Sequence, residues 1–137
     1  MSSRKGLPLH IVLFINGIAD VLVALMLLAF PRLGLGLPGL AAPTSTDAFL
    51  AGGWGIATLA MGATRIWAWR KAELRLPTTV VAIIEGSALA AFSVYVLVTQ
   101  VATLAQALMP LLFGIVFVTL YVLALTIWRT KPAPISG

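Results

Sequence analysis

Four apolar runs, each interrupted by only a few polar positions, divide the chain at about Leu9–Phe30, Asp47–Trp69, Pro77–Thr99 and Leu104–Trp128. Each provides the roughly 20 residues a helix needs to cross a hydrocarbon core about 30 Å thick. The runs are continuous rather than alternating, which predicts α-helices. It argues against a lone barrel, which needs about eight alternating strands. The expected fold is therefore all-α, an integral membrane four-helix bundle forming one domain over residues 1–137.

The ends of the runs have local physical causes. Pro31 cannot continue the first helix, and the Gly/Pro-rich stretch from Pro31 to Pro43 reads as a loop. Thr44, Ser45, Thr46 and Asp47 offer oxygen acceptors for the start of the second helix. Arg70, Lys71, Glu73 and Arg75 make a short polar turn before Pro77, which is expected to open the third helix, where its missing N–H does no harm. The last connection, near Gln100 to Gln106, carries no charge, and Pro110 falls either in the first turn of the fourth helix or at a kink in it.

The two halves are weakly similar. Pro8 precedes Asn16-Gly17 by eight residues, as Pro77 precedes Glu85-Gly86; Val12 and Ile15 match Val81 and Ile84 at the same offset. The partner helices end in Thr64-Arg65-Ile66-Trp67 and Thr126-Ile127-Trp128-Arg129. Two tandem helical hairpins related by an axis along the membrane normal would produce this pattern; chance similarity between apolar segments is the alternative.

Composition removes most soluble readings. Hydrophobic residues make up 61% of the chain and charged residues 9%, against about 25% charged in typical soluble domains. With no cysteine, disulfides, thiol catalysis and thiolate metal sites are excluded, and the single His10 excludes a multi-histidine metal or haem centre. No metal or cofactor is expected. The net charge of +5 marks orientation rather than a nucleic-acid partner. With the N-terminus in the cytoplasm, Arg4, Lys5, Arg70, Lys71, Arg75, Arg129 and Lys131 stay inside with Arg65 near that face, and only Arg32 lies outside. Both termini are thus expected to be cytoplasmic, in a bacterial inner membrane, with Trp67, Trp69 and Trp128 at the inner headgroup level. A cleaved signal peptide fits poorly, because the first apolar run is too long and Asn16 and Asp20 interrupt it.

Ionisable groups deep in a span cost about 2.5–3.5 kcal/mol each on insertion scales, so each needs a partner. Asn16 and Asp20, four residues apart, share a face of the first helix. Ala51, Gly55, Thr58, Gly62 and Arg65 form one stripe of the second, and small residues there allow close packing. Gly86 is expected to do the same on the third helix. Arg65 either snorkels to the headgroups or reaches inward. Glu85, Ala88, Phe92 and Tyr95 lie on one side of the third helix, and Tyr121 comes from the fourth with Thr119 on a neighbouring face. The expectation is a cytoplasm-facing polar pocket of Asn16, Asp20, Thr58, Arg65, Glu85 and Tyr121. In it Glu85 pairs with Arg65, and Asp20 bonds Asn16 or Thr58. Two carboxylates then face one guanidinium, and the surplus one is where a proton or cationic ligand would enter. The competing reading is structural glue that fixes helix register.

The polar-interrupted first span (Asn16-Gly17-Ile18-Ala19-Asp20), the Pro31 exit and the glycine-rich second span (Gly52-Gly53-Trp54-Gly55 through Met61-Gly62-Ala63) resemble the small bacterial four-helix membrane proteins grouped as DoxX-like. That resemblance implies a four-span topology and, for some members, an association with redox or quinone-linked complexes; it carries no catalytic residue. Two functional classes remain. One is a non-enzymatic accessory or assembly component acting through helix packing, with a homo-oligomeric or membrane-complex partner. The other is a small-molecule or proton-coupled carrier working as an oligomer. No nucleophile–base pair, metal set or nucleotide motif points to an enzyme.

Overall fold

A computed structural model describes residues 8–29 and 44–129, with the side chains of residues 128 and 129 outside the description. The expectations for Arg4, Lys5, Arg32, the loop over 31–43, the Trp128 and Arg129 side chains, and Lys131 lie outside the described residues. The described chain is all-helical: α1 (Leu9–Ala29), α2 (Ser45–Arg70), α3 (Ala72–Val98) and α4 (Leu104–Arg129). Leu9–Ala29, Ala72–Val98 and the stretch Leu104–Ile127 are each long and apolar enough to cross a membrane. Helix α2, though 26 residues long, is not among these three, because glycines, threonines and Arg65 dilute its apolar content.

The caps follow the expected chemistry in one place and extend it in another. Thr44 caps α2 through a reciprocal box: the Asp47 amide donates to Thr44 Oγ1 at 3.2 Å, and the Thr44 amide donates to the Asp47 carboxylate at 2.8 Å. A similar Thr-x-x-Gln start occurs at α4, where the Thr103 amide donates to Gln106 Oε1 at 2.7 Å. The polar turn between α2 and α3 is shorter than expected. Lys71 alone, in extended conformation, separates the two helices. Its amide donates to the Trp67 carbonyl at 3.1 Å, and its carbonyl accepts from the Leu74 amide at 3.1 Å.

One expectation about proline is corrected, and the alternative left open for the other is narrowed. Pro77 does not open α3: the helix starts five residues earlier, at Ala72, and Pro77 lies inside it. Pro110 lies inside α4, in its second turn. In both cases the lost N–H falls near the helix start, where little of the hydrogen-bond ladder precedes it.

Between α3 and α4 the chain closes with a left-handed residue, Gln100, at φ 58°. The Val101 amide donates to the Val96 carbonyl at 3.0 Å and the Gln100 amide to the Leu97 carbonyl at 3.2 Å. These are the paired bonds of a Schellman ending, with glutamine where glycine is usual.

The helices pack as two hairpins. α1 packs chiefly on α2 and α3 chiefly on α4, with much less contact between the pairs. Each hairpin closes on glycines. A Cβ on Gly62 would lie 2.9 Å from the Gly17 carbonyl oxygen, and one on Gly114 would lie 2.6 Å from the Gly86 carbonyl oxygen. Gly17 and Gly86, matched in the sequence repeat, therefore both sit where two backbones meet. Their partners do not follow the repeat: Gly62 lies two residues before Thr64, whereas Gly114 lies twelve before Thr126, so the matched tryptophan-bearing ends are out of step with the packing.

The hairpins meet around one shared core. Leu9, Val12 and Leu13 of α1, Ala68 of α2, Ala82 of α3, and Tyr121 and Ala124 of α4 are buried together, with Leu74, Ile83, Phe117, Leu120 and Leu125 against them. This core occupies the end of the bundle where α1 starts and α2 and α4 finish. Elsewhere large apolar side chains face outward, among them Leu22, Leu25, Trp54, Ile84, Leu112 and Ile115.

Candidate functional site: an arginine between two carboxylates

Helix α2 brings Arg65 to the place where the hairpins join. Its periodicity buries Ala51, Gly55, Gly62, Arg65 and Ala68 on one face, the expected stripe, and the glycines let α1 approach closely enough for its polar residues to reach the guanidinium. Gly62 would clash with Asp20 Cβ and Val21 as well as with the Gly17 backbone if it carried a Cβ, and Gly55 packs against Leu28. Close approach is thus a precondition of the ion cluster.

Arg65 reaches inward rather than toward the end of the helix. Nη1 donates to Asp20 Oδ2 and Nη2 donates to Glu85 Oε2, forming two salt bridges on one guanidinium. Asn16, with its amide turned so that oxygen faces the arginine, accepts from Nε and Nη1, each at 3.2 Å. Three acceptors from α1 and α3 thus converge on one side chain of α2. The repeat-matched positions Asn16 and Glu85 meet on the same residue.

The three ionised groups differ in burial. The Arg65 side chain is 5% exposed, that of Asp20 15% and that of Glu85 35%. Asp20 and Arg65 therefore form the enclosed pair, within one hairpin, while Glu85 is the more accessible carboxylate and, among the described residues, the only acceptor contributed by the second hairpin. If all three groups are ionised the cluster carries one negative charge in excess. A guanidinium remains protonated in any protein environment, so only the carboxylates can change this balance.

The expected site is assembled in part. Glu85 pairs with Arg65 as expected. Asp20 bonds Arg65 itself, rather than Asn16 or Thr58, because the guanidinium presents enough donors for both neighbours on α1. Thr58, half-buried two turns before Arg65, takes part in none of the cluster's hydrogen bonds. Tyr121 is fully buried in the shared core. Its hydroxyl has no hydrogen-bond partner among the described residues. The face expected from Ala88, Phe92 and Tyr95 is not the inner one: all three are exposed, and the rings of Phe92 and Tyr95 stack at 6.5 Å. The buried face of α3 is instead Thr79, Ala82, Gly86, Ser93 and Val96, and Glu85 reaches Arg65 from its margin. Thr119 is exposed and donates to the Ile115 carbonyl.

Sequence reasoning missed Gly17 and Gly114 as close-packing positions. An isolated glycine inside an apolar helical run is the available signal. Among the described residues no three His, Cys, Asp or Glu side chains gather into a metal-binding group. Beside Arg65, an open cleft of about 280 Å³ runs between α2 and α3, lined by Met61, Thr64, Leu74, Pro77, Thr78 and Val81 together with Arg65. Comparison of the chain with protein-family models, with curated proteins and with solved structures gave no match.

Proposed function

We propose that this chain is a four-span protein of a bacterial inner membrane with both termini in the cytoplasm, and that it works without catalysis as an accessory or assembly component. The observation that carries this reading is the uneven closure of the bundle. Its hairpins share a core at one end, while outward-facing apolar side chains dominate the rest. Three helices suit a bilayer directly. α2 suits it once packed, since Arg65 and the glycines of its stripe are turned toward α1. Orientation is supported by Arg70, Lys71 and Arg75 at the α2–α3 junction, and by the sequence bias that leaves Arg32 as the one cation expected outside. The reading draws also on the DoxX-like resemblance, some of whose members are linked to redox or quinone-associated complexes.

The absence of cysteine makes the topology simple to test. Single-cysteine variants at Ser45 and Ser136 are labelled in intact cells with a membrane-impermeant thiol reagent. Labelling of Ser45→Cys alone is the expected result; labelling of Ser136→Cys in intact cells overturns the orientation. Crosslinking from outward-facing positions such as Leu25 and Phe92 should then capture a discrete neighbouring helix, and capture of lipid alone contradicts the assembly role.

A second reading, a proton-coupled carrier acting as an oligomer, is favoured by one specific feature. Two carboxylates share one guanidinium, and Glu85 is partly accessible. In proteoliposomes, Glu85→Gln should abolish proton uptake while leaving the helical fold intact. Equal uptake by the variant removes this reading.

A further inference from the structure

We propose that the cleft between α2 and α3 is a binding site for one anionic phospholipid, with its phosphate at the α2–α3 junction and part of an acyl chain along the cleft. The inference rests on the membrane reading above and adds a ligand class to it. The cleft walls are mostly apolar: Met61 from α2 and Leu74, Pro77 and Val81 from α3. Thr64 and Thr78 are the neutral polar residues there. The Thr64 hydroxyl already donates to the Ala60 carbonyl at 2.8 Å, which leaves its wall less polar than the sequence suggests. At about 280 Å³ the space lies at the small end of ligand sites. It suits a segment of one chain rather than a whole lipid or a bulky polar solute.

Charge complementarity selects the headgroup. Leu74, at one end of the cleft, lies one helical turn beyond Lys71, and Arg70, Lys71 and Arg75 fall within six residues there. Glu73 is the opposing charge, leaving the junction at +2. Two of these cations are held in place. Arg75 Nη2 donates to the Trp69 carbonyl at 3.0 Å, and the Arg70 guanidinium lies 5.5 Å from the Trp69 ring centroid. Trp69 in turn packs on Phe14 of α1, with ring centroids 4.6 Å apart. Lys71, exposed and free of side-chain capping bonds, supplies a compact donor for a phosphate oxygen. Cations in the segment that leads into the Leu74 end of an apolar slot favour an anionic lipid over a zwitterionic one, whose ammonium they repel. Arg65, on the cleft wall four residues nearer the junction than Met61, does not compete for the headgroup, because its nitrogens are occupied by Asp20, Glu85 and Asn16.

The test uses the full chain in nanodiscs made from equal parts phosphatidylglycerol and phosphatidylcholine, released and read by native mass spectrometry. Retention of one phosphatidylglycerol is expected. Each exposed cation near a membrane surface contributes roughly fivefold to anionic-lipid affinity, so Arg70→Ala with Lys71→Ala should weaken retention by about 25-fold. Val81→Trp fills the cleft from an exposed position without altering charge, and should also abolish retention. Equal retention of both lipids, or undiminished phosphatidylglycerol on Val81→Trp, overturns the site while the membrane reading stands. Release of the lipid by added inorganic phosphate would make it a free-phosphate site and overturn it too. A chain that never enters the nanodisc overturns both readings.

Discussion

Arg65 offers its donors to Asp20, Glu85 and Asn16, and each acceptor depends on it to a different degree. Removing the arginine leaves two carboxylates facing each other without a counter-charge. Arg65→Leu should therefore destabilise the fold by about 3–5 kcal/mol, the usual result of orphaning a buried charge, measured by thermal or denaturant unfolding in micelles. Glu85→Gln should cost much less, about 1 kcal/mol or under, because its side chain is one-third exposed and a partly solvated pair is worth little. Asp20→Asn should fall between them. A larger effect at Glu85 than at Asp20 would contradict the burial order. Tyr121→Phe should leave stability unchanged or slightly improved, since its buried hydroxyl lacks a well-formed bond whose loss could cost anything. At the α3–α4 junction, Gln100→Gly should stabilise by about 1 kcal/mol by removing the side-chain penalty at a left-handed position.

Helix pairing is governed by glycines whose costs of replacement should rank by what a new methyl meets. Gly114→Ala and Gly62→Ala place Cβ against backbone carbonyl oxygens, and backbones can yield only by separating the helices. Both should cost about 1–3 kcal/mol, in the range of overpacked cores. Gly55→Ala meets Leu28 Cγ at 2.9 Å and Leu27 Cβ at 3.3 Å rather than a backbone oxygen, and should cost less. Gly52→Ala and Gly53→Ala meet nothing within 4 Å and should be neutral or stabilising through helix propensity. A series of unfolding midpoints reads this order directly; Gly114→Ala as mild as Gly53→Ala would refute the close crossing of α3 and α4. The element boundaries show the same locality. Thr44 and Asp47 make the start of α2 readable, whereas Pro77 has the features of a first helical residue although α3 already begins at Ala72, after the break at Lys71.

At the scale of the molecule, two hairpins share a core at one end, and Glu85 is the acidic tie from the second hairpin to the arginine of the first. Weakening that tie should loosen one hairpin against the other while leaving each internally packed. Spin labels on Leu25 and Leu108, one on each hairpin, should show a broader distance distribution in Glu85→Gln than in the parent chain. Labels on Leu25 and Trp54, within the first hairpin, should not change. Broadening of both pairs would mean that the hairpins are not independent units.

Sequence alone determined that there are four helices, what caps α2, which face of α2 is buried and that Arg65 needs an acid, because hydropathy, capping and helical period are properties of neighbouring residues. It also paired Glu85 with Arg65 from charge and depth. The tertiary structure decided that Asp20 binds the arginine directly, that Thr58 stays out, and that Phe92 and Tyr95 turn away while Glu85 reaches in from the edge of its helix. Those outcomes depend on how far each helix rotates about its axis and where two backbones cross. In a chain whose outward side chains are as apolar as its buried ones, composition carries no sign of that rotation; the fit of glycine against backbone sets it.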